Sequence, residues 1–129
     1  MKRIALYVTG LVAAAHASFL ILEMFLWTTP FAARTFGMTP EFAASTAVMA
    51  ANQGLYNGFL AAGLIWGMRI DSGRVKVFFL SCVIVAGIFG AATVKPSILF
   101  VQALPAAVAL ALVAIAHRQR VSPTIALPR

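Results

Sequence analysis

Apolar side chains run almost without a break through four stretches of the chain, residues 4–27, 42–68, 77–94 and 96–116. Between them lie short segments that carry nearly all the charge, proline and turn-forming residues. A helix rises about 1.5 Å per residue, so a hydrocarbon core of roughly 30 Å is crossed by about 20 apolar residues. Each stretch meets or approaches that length. None alternates with the period of two that a barrel strand needs, and closed barrels take about eight strands or more. The pattern predicts an all-α, integral membrane, up-down-up-down four-helix bundle. Its helices should cover residues 4–28, 41–68, 75–94 and 96–117, followed by a basic tail over 118–129.

The breaks carry helix signals of their own. Thr29-Pro30 can cap and start a short helix that Gly37 stops, with Phe31, Phe36 and Met38 placed to rest on the membrane surface. Thr39 should cap the second span, with Pro40 in its first turn and Glu41 at the positive end of its dipole. Asp71-Ser72-Gly73 reads as a turn, and Lys95-Pro96-Ser97 as a tight connection. Trp27 and Trp66 suit the interfacial aromatic belt.

Composition agrees with the pattern. Of 129 residues, 62% are hydrophobic and 10% charged, against about 25% charged in soluble domains. The net charge of +7 would suggest nucleic acid if it were clustered on one face. Instead Lys2, Arg3, Arg69, Arg74, Lys76, Arg118, Arg120 and Arg129 fall at one set of span ends, and only Arg34 and Lys95 at the other. The positive-inside rule makes the richer side cytoplasmic, so the charge encodes orientation and excludes a nucleic-acid role. Both termini are then cytoplasmic, with anionic lipids as neighbours. The run Ala15-His16-Ala17 imitates a signal-peptide cleavage site, but the apolar stretch continues past it to Leu26, which predicts an uncleaved first span.

Small residues sit where helices would approach closely: Gly54 with Gly58, Gly63 with Gly67, and Ala86, Gly90 and Thr93. They serve either packing within the bundle or a homo-oligomer seam. Cys82 is the only cysteine, so no intramolecular disulfide forms, and its apolar neighbours make it a packing residue.

The polar residues within the spans carry the candidate chemistry. Glu23 is the only acid inside a span, and a central carboxylate costs about 2.5–3.5 kcal/mol on insertion scales. His16, seven residues earlier, lies within about 20° of the same helix direction. Asn52, Gln53, Tyr56 and Asn57 occupy little more than one turn, at a depth between those of His16 and Glu23. Gln102 enters at the level of Glu23, and Pro105 frees a carbonyl near Val101. These residues predict one polar pocket in the outer half of the bundle. Glu23 and His16 would be its proton-handling, catalytic pair, and Asn52, Gln53, Tyr56, Asn57, Gln102 and Trp27 its ligand-binding walls. Hydrogen bonding that only fixes the bundle explains the amides equally well. His16, Glu23 and Cys82 lack any metal-ligand spacing, so no metal is expected, and no cofactor motif is present. Whether the chain is an enzyme stays open.

The segments Glu23-Met-Phe-Leu-Trp27-Thr28, Ala51-Asn52-Gln53-Gly54-Leu55-Tyr56-Asn57-Gly58-Phe59, Phe78-Phe79 through Ala86-Gly87-Ile88, and Gln102-Ala103-Leu104-Pro105 resemble a family of short bacterial membrane proteins, domain-of-unknown-function family 1304. The resemblance spans all four stretches and stops before the tail from Arg118. It implies a four-helix integral membrane protein and no particular reaction. Three functions suit these residues. The first is a site for a lipophilic or amphipathic small molecule, with proton transfer at Glu23 as its chemistry. The second is an oligomeric solute or proton transporter, and the third a structural or accessory subunit.

Overall fold

Helix starts follow the caps written into the chain. In the computed structural model, which describes residues 1–121, the Thr29 hydroxyl accepts from the Ala32 N–H and opens helix α2 (Pro30–Phe36). Thr39 accepts from the Phe42 N–H and opens α3 (Pro40–Arg69). Ser72 accepts from the Val75 N–H and opens α4 (Gly73–Thr93). Each hydroxyl satisfies one of the N–H groups that a helix start leaves without a partner. Helix α1 (Lys2–Phe25) precedes them, and α5 (Leu104–Val121) closes the described chain.

Helix α2 ends at Gly37, whose φ of 66° is left-handed, a conformation that costs glycine nothing. The same job after α3 falls to Asp71, at φ 50°. The Ser72 N–H reaches back to the Gly67 carbonyl at 3.0 Å and the Asp71 N–H to Met68 at 3.2 Å. That pair of bonds is the Schellman closure, made here with aspartate in place of glycine.

The described residues hold five α-helices, among them the short α2 expected between Pro30 and Gly37, and a π-helical segment over Leu99–Ala103. The segment after Pro96 does not enter a regular helix directly. It passes through the π turn, and the Leu104 N–H bonds to the Leu99 carbonyl. Pro105 supplies the reason: its ring clashes with the carbonyl four residues back, and it has no N–H to donate. A wider turn relieves that clash. The tail also starts later than expected, because α5 runs on to Val121; residues 122–129 lie outside the described residues.

Among the described residues three helices are long and apolar enough to cross a membrane: α1, α4, and the stretch Leu99–Gln119. The longest helix, α3 with 30 residues, is not among them. Ser45, Thr46, Asn52, Gln53, Tyr56 and Asn57 dilute its apolar character.

Neighbouring helices run antiparallel. At one end Lys2 of α1 pairs with Asp71 after α3 at 2.8 Å, and Lys76 of α4 joins Asp71 at 3.4 Å. Further along, Gly54 and Gly58 of α3 seat Leu20, Glu23 and Met24 of α1. Gly63 and Gly67 seat Phe79, Val75 and Lys76 of α4. Both glycine pairs are therefore occupied within the molecule, and neither is left as a seam for a second copy. On α4 the packing face is Gly87 with Gly90, which carries Ala103 and Ile98. Of the expected Ala86–Gly90–Thr93 face, Ala86 and Thr93 are exposed. Ala5, Val12, Ala13, Leu64, Leu80, Val83, Ala106, Ala109 and Val113 form the core between these seams.

Candidate functional site

Two polar sites sit against α1, on different neighbours. The first joins Glu23, in the last turns of α1, to Asn57 of α3. The Asn57 Nδ2 donates to Glu23 Oε2 at 2.7 Å, and Asn57 is buried. Gly54 makes this approach feasible, because a Cβ there would lie 3.1 Å from the Glu23 Cβ and 2.7 Å from the Met24 Cγ. A protonated carboxyl can accept this bond as well as a charged one, though the charged form accepts it more strongly.

The second site is His16, 1% exposed. Its Nδ1 lies 2.8 Å from the Val12 carbonyl. A carbonyl only accepts, so Nδ1 carries the proton and donates. The ring packs edge-on to Phe19, with centroids 5.6 Å apart. Its Nε2 is the only buried side-chain nitrogen or oxygen without a partner among the described residues. Such a group costs about 1–3 kcal/mol when left unpaired.

His16 lines a partly open cleft of about 260 Å³. Val8, Leu11, Val12, Ala15 and His16 of α1 form one wall, and Val101, Gln102 and Pro105 form the other. The second wall is the π turn and the proline that causes it, so the cleft exists because α5 does not begin regularly. Only His16 and Gln102 among the lining residues are polar. An apolar cavity of about 150 Å³ takes up benzene, and drug-sized sites run to about 300–1,000 Å³. This cleft falls between them. With Nδ1 occupied by Val12, the buried Nε2 is the ring atom left to accept a hydrogen bond.

The residues expected to wall one pocket are divided. His16 and Gln102 share the cleft, and Glu23 and Asn57 share a bond at the α1–α3 seam. Asn52, Gln53 and Tyr56 are exposed on the outside of α3 and join neither. Trp27 donates from Nε1 to Thr46 Oγ1 at 3.0 Å and stacks at a tilt on Phe36, tying the α1 exit to α2 and α3. Thr46 was not anticipated as its partner, and a threonine beside Ser45 among alanines offers no signal for it. Val8 and Leu11 as cleft walls were also unforeseen, since nothing separates them from lipid-facing residues by type. Among the described residues no group of three or more histidines, cysteines or acids could hold a metal. Cys82 is half-buried on α4.

At the basic end a cavity of about 30 Å³ is lined by Lys2, Asp71, Lys76 and His117 among others, room for about one water.

A family model described as "Protein of unknown function (DUF1304)" matches residues 10–114. No curated protein and no solved structure matches the chain.

Proposed function

From the premise that the chain belongs to the DUF1304 family, proteins of unknown function, we propose that it is a four-span membrane protein binding a small lipophilic molecule in the His16 cleft. The single observation that carries this reading is the unpartnered Nε2 of a buried histidine on the wall of an otherwise apolar cleft. A ligand with one hydroxyl or N–H donor and an apolar body would satisfy both features once the His16 ring turns to present its buried Nε2 to the cleft, the donor on Nε2 and the body against Val8, Leu11 and Val101. Gln102 offers a second hydrogen bond across the cleft. In this reading α3 crosses as the fourth span, because it packs antiparallel along α1 and α4, which are apolar enough to cross. The basic end faces the cytoplasm of a bacterial inner membrane by the positive-inside rule. His16 lies about 21 Å along α1 from Lys2, just past the middle of the helix toward the outer side. The ligand would then enter laterally from the bilayer.

Glu23 takes a different role from the proton donor that its position first suggests. It sits with Asn57 at the α1–α3 seam, where it holds the bundle, and His16 becomes the group that meets the ligand.

Native mass spectrometry of the purified protein tests this. The wild type should release a discrete co-purifying molecule that is not a bulk phospholipid. His16→Phe, which keeps an aromatic ring of similar size and removes the acceptor, should lower its occupancy at least ten-fold, while Glu23→Gln keeps it. A wild type carrying only bulk phospholipid, or an adduct retained in His16→Phe, would overturn the reading.

A further inference from the structure

Helix α3 is polar on two opposite sides. Gly54, Asn57 and Ala61 face inward against α1 and the core, and their polarity is accounted for. On the other side Ser45, Met49, Asn52, Tyr56 and Phe59 follow one another at helical spacing, with Gln53 beside them, and all are exposed. Tyr56 is 54% exposed. The side chains of Asn52, Gln53 and Tyr56 make no hydrogen bond among the described residues; Tyr56 meets only the edge of Phe59, at 6.1 Å.

Depth makes this costly. Helix α3 spans Pro40–Arg69, about 45 Å, and Asn52 lies about 18 Å from its start and 25 Å from its end. Half the hydrocarbon thickness is about 15 Å. This cost rests on α3 crossing as proposed: neither amide then reaches water or headgroups from there, and both would meet lipid tails with their polar groups unpaired. Whatever covers them must itself lie in the membrane and offer both donors and acceptors at that depth.

We infer that the outward face of α3 around Asn52, Gln53 and Tyr56 is a self-association surface, covered by the same face of a second copy of this chain. An amide carries a donor and an acceptor, so Asn52 and Gln53 complement their own images. Copies inserted in one orientation are related by a two-fold axis along the membrane normal. Such an axis brings each residue to its counterpart at equal depth. Around Asn52, Gln53 and Tyr56 the face holds no charged residue; the one acid on its line, Glu41, lies in the first turn of α3, about 17 Å from Asn52 along the axis. Interhelical bonds between asparagine and glutamine are a recognised source of association in lipid. This surface is separate from the cleft, which opens between α1 and α5, and it stands whether or not the cleft binds a ligand.

Cysteine cross-linking in native membranes tests it, on a Cys82→Ala background so that each variant carries one thiol. Asn52→Cys and Tyr56→Cys should each form a disulfide-linked dimer on mild oxidation. Val85→Cys, on the exposed face of α4 at similar depth, serves as the control and should cross-link at least ten-fold less. Equal cross-linking at all three positions, no dimer at Asn52 and Tyr56, or cross-linking to a different protein would each overturn the inference. In mild detergent, Asn52→Leu with Gln53→Leu should lower the dimer fraction at least five-fold, while Glu23→Gln leaves it unchanged.

Discussion

A carboxylate inside a span is expensive, and the structure gives Glu23 one strong partner, the buried Asn57 amide at 2.7 Å. Removing one member of such a pair leaves the other with a polar group and nothing to bond. Asn57→Leu should therefore destabilise the folded state by about 1–3 kcal/mol, read as an earlier midpoint in unfolding by a denaturing detergent. Glu23→Gln keeps an acceptor for Nδ2 and should cost under about 1 kcal/mol. The double variant Glu23→Leu with Asn57→Leu should be less damaging than the sum of its single changes, because both orphaned groups are gone. Both partners were legible as polar residues at compatible depths. Their pairing was not, because Asn52, Gln53, Tyr56 and Asn57 fan over about 140° of helix, and either edge of that fan satisfies the same composition. The glycines decide the matter: Gly54 and Gly58 seat α1, so Asn57 goes inward and Asn52 outward. A sequence shows which residues share a face, but not which face meets the neighbour.

Elements show where local chemistry suffices and where it does not. The caps at Thr29 and Thr39 and the stop at Gly37 are set by residues within a few positions, and for that reason they were readable, whereas Ser72 read only as part of a turn and not as the cap of α4. The π turn needed more: Pro105 announced trouble for the carbonyl near Val101, but a kink, a water or a widened turn would each answer it. The structure answers with the widened turn, which also forms one wall of the cleft. Pro105→Ala should let the segment relax to a regular helix and close the cleft. The expected readout is loss of the co-purifying molecule, as in His16→Phe, with stability unchanged or raised, since the ring no longer opposes the helix. The seams give a second contrast. A Cβ on Gly87 would lie 2.8 Å from the Ala103 backbone nitrogen and 2.9 Å from its Cβ, and backbone cannot step aside. Gly87→Ala should cost about 1–3 kcal/mol by overpacking. At Gly58 the obstacle is the tip of the Leu20 side chain, which can rotate away. There the better helix preference of alanine, about 1 kcal/mol, should offset most of the strain. Thermal unfolding of the two variants in the same detergent compares them directly.

For the whole molecule the count of spans is a question of parity. By composition, among the described residues, only α1, α4 and the stretch Leu99–Gln119 are apolar enough to cross, and three crossings would place the start of α1 and the end of α5 on opposite sides. Packing argues for four. Lys2 meets Asp71, which also meets Lys76, and Gly73 lies against the His117 ring, so the start of α1 and the last turns of α5 share one end of the bundle. If α1 and α5 both cross, α3 must cross with them, since it runs antiparallel against α1 from Met68 beside Gly10 to Gly54 beside Glu23. Its low hydropathy then reflects side chains that serve protein contacts: Asn57 on Glu23, Thr46 on Trp27, and the outward amides. Single cysteines on a Cys82→Ala background, treated in intact cells with a membrane-impermeant maleimide, test the parity. Arg34→Cys and Lys95→Cys should label from outside. Arg3→Cys, Arg74→Cys and Arg118→Cys should label only after the membrane is opened. Labelling of Arg3→Cys and Arg118→Cys from opposite sides would mean an odd number of crossings, and a bundle whose basic residues do not share one face of the membrane.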